Sequence, residues 1–543
     1  MNINPADFQH DRISDYLYRH AANSPDKEAA CDGEHSLSYS ALLCEVETCA
    51  KSLIALGVEK GDRVATLSPP HSDYLIIFLA TTAIGGIWLG LNPRYTRDEL
   101  EHVISDSEPK VIFARSQVDK RQYDEDLQYF QNGIESIQDI VILQSGLPYH
   151  GALSYADFLL KSDAVSHQQY QDRREDVNSL DAAMLVYTSG TTGKPKGAIL
   201  HHYGAIRHSH VQRALRSNSY VRLINVYPIN HIAGAIACTT YCLVVGGTNC
   251  FLEKFDPGIE LKMIEEKRIT VWGGVPIMLQ SVLDHPDFSS TDFSSVNEVS
   301  YSGGSTSLDL LRRITDEVCP RITTMYALTE AAGTATAIAS TNDIELLASS
   351  VGKPVSDCEF RLVDENNNEV NQGEKGEIQI RGPFIMKGYW RLPEATKEAI
   401  DEEGWLHTKD VAIERDDGNI VLVGRLSDMY KSGGYNIYPR EIEQVLEAYP
   451  AVSLACVVGV PDPTYHEVGY AFVTLAPGQT VEEQSLLEHC HQHLANYKVP
   501  KIIKIEERLP LLPNNKPDKR KLQEIAGNAI TPVNKQSVSS NLT

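Results

Sequence analysis

The sequence has 543 residues, 42% of them hydrophobic, which is enough for two or more domains with large buried cores. Acidic residues outnumber basic ones 73 to 49, and the formal net charge of −24 disfavours a general nucleic-acid partner. The ten cysteines stand singly, without C-x-x-C pairs or Cys/His clusters, which predicts reduced structural thiols rather than zinc ligands. The start, MNINPADFQHDRISDYL, lacks the pattern of a signal peptide, so we expect a cytoplasmic enzyme.

Apolar, β-rich runs alternate with helical patterns along the first part of the chain. Strands are predicted at RVATLS (63–68), KVIFAR (110–115) and DIVIL (139–143), and a helix at DELEHVISDS (98–107). This alternation predicts α/β layers with parallel sheets. The polar stretch 164–180, AVSHQQYQDRREDVNSL, is predicted to be a linker or an exposed excursion.

One apolar segment is nearly long enough to span a membrane. It is YLIIFLATTAIGGIWLGL, from Tyr74 to Leu91. Threonines and the Gly85-Gly86 pair interrupt it, so we predict a buried core helix and no stable membrane insertion.

The pattern changes after about Gly424. Strands are predicted at ACVVGV (455–460) and YAFVTLA (470–476), and an amphipathic helix at EIEQVLEAY (441–449). We therefore predict a second, smaller α+β domain, followed by a disordered tail over 529–543.

A loop rich in hydroxyl groups, YTSGTTGKPKG (187–197), follows the apolar run AAMLVY. Glycine-rich turns that leave buried strands are places where backbone amides converge on phosphate. The spacing is not that of a Walker A loop, because Pro195 follows Lys194. We interpret the loop as a grip on the β- and γ-phosphates of a nucleotide; the alternative is a solvated linker. The residues assigned to it are Thr188, Ser189, Gly190, Thr191, Thr192 and Lys196.

This loop resembles the signature of the adenylate-forming superfamily, which includes acyl-CoA and aryl-CoA synthetases. Further motifs follow in the family's order: YPINHIAG (227–234), MYALTE (325–330), GEIQIRGPFIMKGYW (376–390), WLHTKDVA (405–412), GRLSDMYKSGGYNIYPREIE (424–443) and LPNNKPDKRKL (512–522). The resemblance implies an α/β fold with a large N-terminal domain of layered α/β subdomains plus a small β-barrel, and a small mobile α+β C-terminal domain. It places the large domain at 1–424, a hinge at 425–430 and the small domain at 431–528.

The resemblance also implies the adenylation chemistry, in which a carboxylate attacks the α-phosphate of ATP. Lys516 would bridge the two anions, Thr329 would bind the α-phosphate, and Glu330 would ligate Mg²⁺. The remaining ATP-binding residues implied are Gly303, Gly304, Tyr326, Asp410 and Arg425.

In the family a second step transfers the acyl group to a thiol, here coenzyme A, after the small domain rotates about a hinge. Lys431, Gly433 and Gly434 would then face the pantetheine arm, and Ser427 would be the hinge residue. Ser427 itself departs from the usual aspartate or lysine. Other departures are Lys409 and Asn515, where the family usually has glycine.

The acyl site is implied by the positions that surround these motifs. His231 would gate it, and the predicted walls are Ile232, Ile236, Trp272, Met325, Ala327, Ala331 and Ala332. Amino-acid-activating relatives carry aspartate at the position of Ile232, and Ala327 replaces a usual glycine at the pocket floor. The apolar walls predict a hydrophobic monocarboxylic acid, fatty or aryl.

Four readings follow from the sequence. The first is an acid:CoA ligase that uses ATP, Mg²⁺ and coenzyme A, with a small carboxylic acid as substrate. The second loads a separate acyl carrier protein, since the chain contains no carrier domain of its own. A luciferase-type oxygenase and a nucleotide-binding regulator without turnover are the others, the latter resting only on the departures from the family's motifs.

Overall fold

The computed structural model describes residues 3–143, 149, 151–188, 194–216, 220–304, 306–476, 478–512 and 516–530. The chain divides into two compact units. The first comprises Met1–Phe360 and Ile380–His407, and the second comprises Arg361–Gln379 and Thr408–Thr543. The predicted domain limits at 424 and 431 and the hinge between them stay predictions.

The helices and strands of the described residues are numbered in chain order. The helices are α1 (Ile13–Asn23), α2 (Tyr39–Ala55), α3 (Ser72–Ala83), α4 (Arg97–Ser107), α5 (Asp124–Gly133), α6 (Tyr155–Leu160), α7 (His167–Glu175), α8 (His202–Leu215), α9 (Tyr241–Val245), α10 (Pro257–Glu266), α11 (Pro276–Leu283), α12 (Leu308–Arg313), α13 (Ile344–Ser349), α14 (Pro393–Ala399), α15 (Pro439–Glu447), α16 (Glu483–His493) and α17 (Lys519–Ile530). The strands are β1 (Glu28–Asp32), β2 (His35–Ser38), β3 (Arg63–Leu67), β4 (Ile87–Leu91), β5 (Val111–Arg115), β6 (Gln117–Val118), β7 (Arg121–Gln122), β8 (Asp139–Leu143), β9 (Leu153–Ser154), β10 (Ala182–Thr188), β11 (Lys196–His201), β12 (Arg222–Asn225), β13 (Thr248–Phe251), β14 (Val271–Gly274), β15 (Glu298–Ser302), β16 (Ile322–Leu328), β17 (Gly333–Thr341), β18 (Lys353–Pro354), β19 (Glu359–Val363), β20 (Lys375–Arg381), β21 (Leu406–Glu414), β22 (Ile420–Arg425), β23 (Tyr430–Ser432), β24 (Tyr435–Ile437), β25 (Val452–Asp462), β26 (His466–Leu475) and β27 (Ile502–Ile505).

The strands predicted at the start of the chain all belong to one sheet of the first unit. Its order over the described residues is β11-β10-β4-β3-β5-β8-β9, and its central pairs are parallel. Helix α4 is also confirmed, with a capping box in which Thr96 and Glu99 exchange backbone and side-chain hydrogen bonds. The predicted α/β class and the parallel sheets are therefore confirmed.

The prediction of one buried helix from Tyr74 to Leu91 is wrong, because the segment forms a helix followed by a strand. Helix α3 ends at Ala83, Gly85 adopts a φ of +78°, and the chain continues as β4 in the sheet. The glycine permits this left-handed turn, so the apolar run fills two layers of the core. In the described part of the chain, no helix is long and apolar enough to cross a bilayer.

The predicted linker over 164–180 contains helix α7. Ser166 caps the helix and forms a capping box with Gln169. Most of this helix is exposed, but Tyr170 is buried and its hydroxyl lies 2.9 Å from that of Tyr18. The polar composition of this segment does not indicate the helix, because Tyr170 is its one buried residue.

The second sheet of the first unit carries the candidate site. Its order, over the described residues, is β18-β17-β16-β15-β14-β12-β13-β1-β2, with parallel pairs from β1 to β16. One face packs on a core that contains Trp272, Val299 and Tyr301. Because successive side chains of a strand point to opposite faces, Gly273, Ser300 and Ser302 belong to the other face.

The second unit is a smaller α+β body, as predicted. Its main sheet contains β24, β23, β26 and β25, with β27 beside β26, and α15 packs in the core of this sheet. Most of a four-stranded sheet, β19-β20-β21-β22, also belongs to this unit. Helix α17 extends to Ile530, two residues into the predicted tail, and residues 531–543 lie outside the described part.

All ten cysteines are free, and nine of them are buried. The burial of these nine agrees with a structural role, and the reduced state of the thiols stays a prediction. Among the described residues no group of three or more histidine, cysteine or acidic side chains is arranged to hold a metal ion.

Candidate active site

The phosphate-loop candidate joins two antiparallel strands of the first sheet. Thr188, the last residue of β10, pairs directly with Lys196, the first residue of β11. The hairpin therefore fixes both ends of the loop. The predicted residues Ser189, Gly190, Thr191 and Thr192 lie outside the described residues.

Lys196 and Glu330 both contact the side chain of Tyr389. The Lys196 ammonium nitrogen lies 5.3 Å from the centre of the Tyr389 ring. The Tyr389 hydroxyl donates a hydrogen bond of 2.8 Å to Oε1 of Glu330. Burial, and then the Glu330 carboxylate, raise the pKa of this phenol, so it remains a donor at neutral pH. Tyr389 thus contacts both Lys196, at the start of β11, and the candidate magnesium ligand Glu330.

Tyr389 is held by strand-like contacts that sequence reasoning missed. The amide of Trp390 donates to the Gly197 carbonyl at 2.7 Å, and that of Met386 donates to the Glu330 carbonyl at 2.8 Å. Tyr389 lies in the motif GEIQIRGPFIMKGYW, which the sequence reading quoted without assigning a role to this residue. Only the fold places the motif beside β11.

We expect Tyr389→Phe to raise the Mg²⁺ concentration required for half-maximal pyrophosphate release by about tenfold to a hundredfold. The substitution removes the donor that orients the Glu330 carboxylate while it keeps the ring against Lys196. A magnesium titration of pyrophosphate release measures this shift. Tyr129→Phe is the control, because the exposed Tyr129 donates 3.1 Å to Glu101 in a similar pair elsewhere; an equal shift in both variants would contradict the assignment.

Other predicted residues follow the carboxyl ends of the parallel strands in the second sheet. Gly303 and Gly304 follow β15, the turn at Thr329 follows β16, and His231 lies in the segment after β12. Ligands of open α/β sheets bind at this edge, since loops and helix starts converge there. Tyr326 and Thr329 are both buried, with 8% of each residue exposed.

The turn at Thr329 is tight and partly left-handed. The Ala332 amide donates to the Thr329 carbonyl at 2.9 Å, and Ala332 itself has a φ of +49°. Its Cβ also lies 2.8 Å from where a Cβ on Gly204 would stand, so only a glycine fits at the start of α8 here. Close packing of α8 therefore fixes the position of Thr329 and Glu330.

His231 stands at the start of a π-helical segment, Ala233–Thr240. Its Nδ1 accepts a hydrogen bond of 3.1 Å from the Ala233 amide, so its Nε2 carries the proton in the neutral ring. Ile232 and Ile236 are buried next to it in the sequence, and π-helical turns of this kind are frequent at functional sites. The gating role of His231 stays a prediction.

The predicted walls of the acyl pocket do not all lie on one side of the sheet. Met325 pairs with Ser302, and its sulfur accepts from the Thr334 hydroxyl at 3.4 Å. Ala327 is half-buried two residues further on, and Ala331 and Ala332 are buried in the turn. These residues lie together at the carboxyl edge.

Trp272 is not brought to them. It is fully buried in the core on the opposite face, and its indole nitrogen donates 2.7 Å to Glu260. Burial raises the pKa of Glu260 to about 7. Gly273 of β14 shares the face of Met325 and has no predicted role from the sequence.

In the second unit, three predicted residues converge. Nε of Arg425 donates 2.6 Å to Oδ1 of Asp410, across the paired strands β21 and β22. The pKa of Lys516 is lowered from its ordinary value, by desolvation first and then by the Arg425 cation, while Asp410 acts in the opposite direction. Lys516 is therefore electrostatically coupled to both residues. Asn515 lies outside the described residues.

Lys409 adopts the left-handed conformation that the family's glycine would favour, with a φ of +62°. Its amide donates 2.9 Å to Glu377, whereas its ammonium lies 3.9 Å from the same carboxylate. The backbone contact is thus the closer one, and the lysine side chain is exposed.

We expect Lys409→Gly to stabilise the protein by about 0.5–1 kcal/mol, the relief of left-handed strain less the added entropy of glycine in the unfolded chain. Thermal unfolding measures the change. Lys409→Ala is the matched control, because it removes the charge and keeps the strain. Equal stabilisation by both variants would assign the effect to charge and contradict the backbone explanation.

The proposed pantetheine face is a tight hairpin. Gly433 and Gly434, with φ values of +57° and +88°, join β23 to β24, and the Gly433 amide donates 2.9 Å to the Tyr465 carbonyl. Positive φ at both central residues is the requirement of a type I′ turn. The Lys431 amide donates 2.9 Å to Glu467. The glycines are required by the turn and leave open space outside Gly434.

Ser427, the predicted hinge residue, is exposed within the second unit. Its hydroxyl donates 3.1 Å to the neighbouring Asp428, which also pairs with Lys519 at 3.0 Å. These contacts do not show whether the chain rotates at Ser427, so its role as the hinge residue stays a prediction.

The residues present fit ATP and Mg²⁺. Magnesium is commonly bound by one or two carboxylates together with substrate phosphates and water, so the single carboxylate of Glu330 is sufficient on the protein side. Its second oxygen, Oε2, is not the atom that Tyr389 contacts. Lys196 lies against the ring of the same tyrosine, and its phosphate-binding role stays a prediction.

Two family models match the chain. The family model for the AMP-binding enzyme matches residues 17–390, and that for the AMP-binding enzyme C-terminal domain matches 441–516. The feruloyl-CoA synthase of an Amycolatopsis species is 35% identical over 502 residues, which cover 92% of this chain and 96% of that protein.

Solved structures show the same fold. The anthranilate CoA ligase AuaEII in complex with anthranoyl-AMP has a TM-score of 0.86 at 23% identity, over 97% of this chain and 100% of that one. ATP-bound MatB from Rhodopseudomonas palustris has a TM-score of 0.80 at 27% identity, over 95% and 99%.

Proposed function

This chain belongs to the family of AMP-binding enzymes, and from that membership we propose that it activates a hydrophobic monocarboxylic acid, fatty or aryl, and joins it to coenzyme A. The enzyme class is that of an AMP-forming acid–thiol ligase. ATP, Mg²⁺ and coenzyme A are its co-substrates and cofactor.

The observation that carries the proposal is the link from Lys196 through Tyr389 to Glu330. One side chain, Tyr389, contacts both the Lys196 cation and the Glu330 carboxylate that we propose as the magnesium ligand, and Glu330 directly follows Thr329. A carboxylate oxygen attacks the α-phosphorus of ATP and pyrophosphate leaves with the electron pair of the broken P–O bond. Both reactants are anions, so fixed positive charge and donors stabilise the transition state more than the separated reactants.

In the second step the thiol of coenzyme A attacks the acyl carbon. A carbon–sulfur bond forms, the bond to AMP breaks, and the thiol loses its proton. We assign Asp410 and Arg425 to the nucleotide's ribose, Gly303, Gly304 and Tyr326 to its adenine, and Lys516 to charge neutralisation in the first step. Lys431 and the hairpin glycines are assigned to the thiol step.

The substrate class rests on the apolar residues near the carboxyl edge of the sheet. Met325, Ala331 and Ala332 are buried there, and Ile232 is an apolar residue where an amino-acid substrate would require a carboxylate. The feruloyl-CoA synthase relative acts on an aryl acid by its name, which supports the aryl alternative. Ten unpaired cysteines support a cytoplasmic setting.

The test is pyrophosphate release with ATP and Mg²⁺ over a panel of aliphatic, aryl and amino acids, with and without coenzyme A. We expect release with one acid class and rapid turnover only when coenzyme A is present. A single stoichiometric burst that coenzyme A cannot convert to turnover would indicate a separate carrier protein as acceptor. No release with any acid would refute the ligase and favour the regulator.

We expect Gly434→Leu to block thioester formation and to spare adenylation. The leucine side chain would project into the open space outside the hairpin, where the thiol arm is proposed to enter. The two half-reactions are measured separately, as pyrophosphate release and as consumption of supplied acyl-AMP. Gly434→Ala is the control, because it shares the strain of a φ of +88° and adds little bulk. Equal loss of both half-reactions in the leucine variant would contradict the proposed pantetheine face.

A further inference from the structure

Arg216, at the end of α8, has a buried donor without a partner. Its Nη1 donates 2.8 Å to Gln212, its Nη2 donates 3.2 Å to the Ser300 hydroxyl, and its guanidinium stacks 4.8 Å from the Tyr241 ring centre. Its Nε is buried and has no hydrogen-bond partner among the described residues. A ligand cannot reach this atom, but Arg216 and Ser300 are each only half-buried, so both residues have surface that a ligand can contact.

This arginine reaches the same face of the sheet as the candidate acyl site. Ser302 pairs with Met325 in parallel register, and Ser300 precedes Ser302 by two residues. Residues two apart share a face and lie about 7 Å apart along a strand. Ser300 therefore lies on the same face as Met325 but two residues further from the carboxyl edge of the sheet.

Space exists in front of Ser300. Its register partner on β14 is Gly273, which has no side chain. A Cβ built on Gly273 would lie 3.3 Å from the Ser300 carbonyl oxygen and 3.9 Å from its Cβ, with no other described atom outside its chain neighbours within 4 Å. Because Gly273 has no side chain and is itself only half-buried, the sheet face beside Ser300 is accessible.

We propose that Arg216, Gln212 and Ser300, here called the distal polar cluster, bind a neutral oxygen, a ketone or a hydroxyl, that the acid substrate carries far from its reacting carboxylate. The inference rests on the proposed ligase function and narrows its substrate class from hydrophobic acids to oxygenated ones.

A neutral oxygen fits the cluster better than a second carboxylate. Glu298, two residues before Ser300 on the same strand, is an acidic side chain buried on this face. Ser340 donates 3.0 Å to Oε2 of Glu298, whereas Oε1 has no partner among the described residues. A ligand carboxylate would face this acid as well as the arginine, whereas a ketone accepts from Arg216 without that repulsion.

The test compares acids of equal length in the purified full-length enzyme with ATP, Mg²⁺ and coenzyme A. Octanoate is compared with its three oxo derivatives that carry a ketone at carbon five, six or seven, and cinnamate is compared with 4-hydroxycinnamate. Suberate is the dicarboxylate of the same length. We expect one oxygenated acid to exceed its parent at least tenfold in kcat/KM. In Arg216→Met this ratio should fall to about one.

Two further variants make the result specific. Arg213→Met, an exposed arginine on the same helix, should keep the preference. Gly273→Ala fills the space in front of Ser300 and should abolish the preference, which provides a test if Arg216→Met does not fold.

The outcomes separate the inference from the function on which it rests. Turnover of octanoate or cinnamate without preference for any oxygenated acid would overturn the distal polar cluster and leave the ligase intact. A preference that survives in Arg216→Met, or a stronger one for suberate, would also overturn it. Absence of pyrophosphate release with every acid would instead refute the proposed function.

Discussion

Lys516→Ala is expected to slow acyl-adenylate formation by about a hundredfold to a thousandfold, the usual effect of removing one group that stabilises transition-state charge. Thioester formation from supplied acyl-AMP should continue, because the charge that Lys516 neutralises belongs to the first step only. Pyrophosphate release and acyl-AMP consumption measure the two steps separately. Lys521→Ala is the matched control, as this lysine is exposed in the same C-terminal segment.

The electrostatic setting of Lys516 adds a pH signature. Its pKa is lowered from the ordinary lysine value of 10.5, so the ammonium form is lost at a lower pH than in free lysine. Adenylation should therefore decline on the alkaline side below that value, and the decline should be absent from the thioester step. Loss of both half-reactions in Lys516→Ala, or the same alkaline decline in both steps, would contradict its assigned role.

The fold was predictable where the signal is local. The runs at 63–68, 110–115 and 139–143 carry enough β-branched residues to identify strands without their partners. The prediction for the segment from Tyr74 to Leu91 was wrong because a buried helix and a buried strand are equally apolar, and only the turn at Gly85 separates them. Helix α7 was not predicted, because one buried tyrosine, Tyr170, does not produce a recognisable helical repeat of apolar residues.

Only the site residues that lie in recognisable motifs could be predicted from the sequence. Thr329 and Glu330 were found through a family resemblance, whereas Tyr389 joins Glu330 from 59 positions further along the chain. Arg216 reaches Ser300 across 84 positions, and nothing in its immediate sequence indicates that it points to the sheet. Trp272 was assigned to the wrong face because apolar composition does not distinguish a pocket wall from core. Long-range contacts of this kind require the sheet register.

Asp357→Ala is expected to destabilise the first unit by about 3–5 kcal/mol, because it leaves a buried arginine without its counter-ion. Arg207 on α8 is fully buried, and its Nε donates 2.9 Å to Oδ2 of Asp357. Its guanidinium also lies 4.0 Å from the Phe384 ring centre and donates to the Thr334 carbonyl. All four tryptophans of the chain (Trp88, Trp272, Trp390 and Trp405) lie in the first unit, so urea unfolding followed by tryptophan fluorescence reports this unit alone.

A double-variant cycle separates the pair from its surroundings. Arg207→Met with Asp357→Leu removes both charges and should recover part of the loss, the remainder being the Thr334 carbonyl that loses its donor. Asp26→Ala, at an exposed aspartate of the same unit, should change stability by less than about 0.5 kcal/mol. If the double variant were as unstable as Asp357→Ala, the buried charge would not be the cause. Recovery would show that the ion pair specifies where α8 lies, and hence where this helix holds Gln212 against the sheet, rather than supplying net stability.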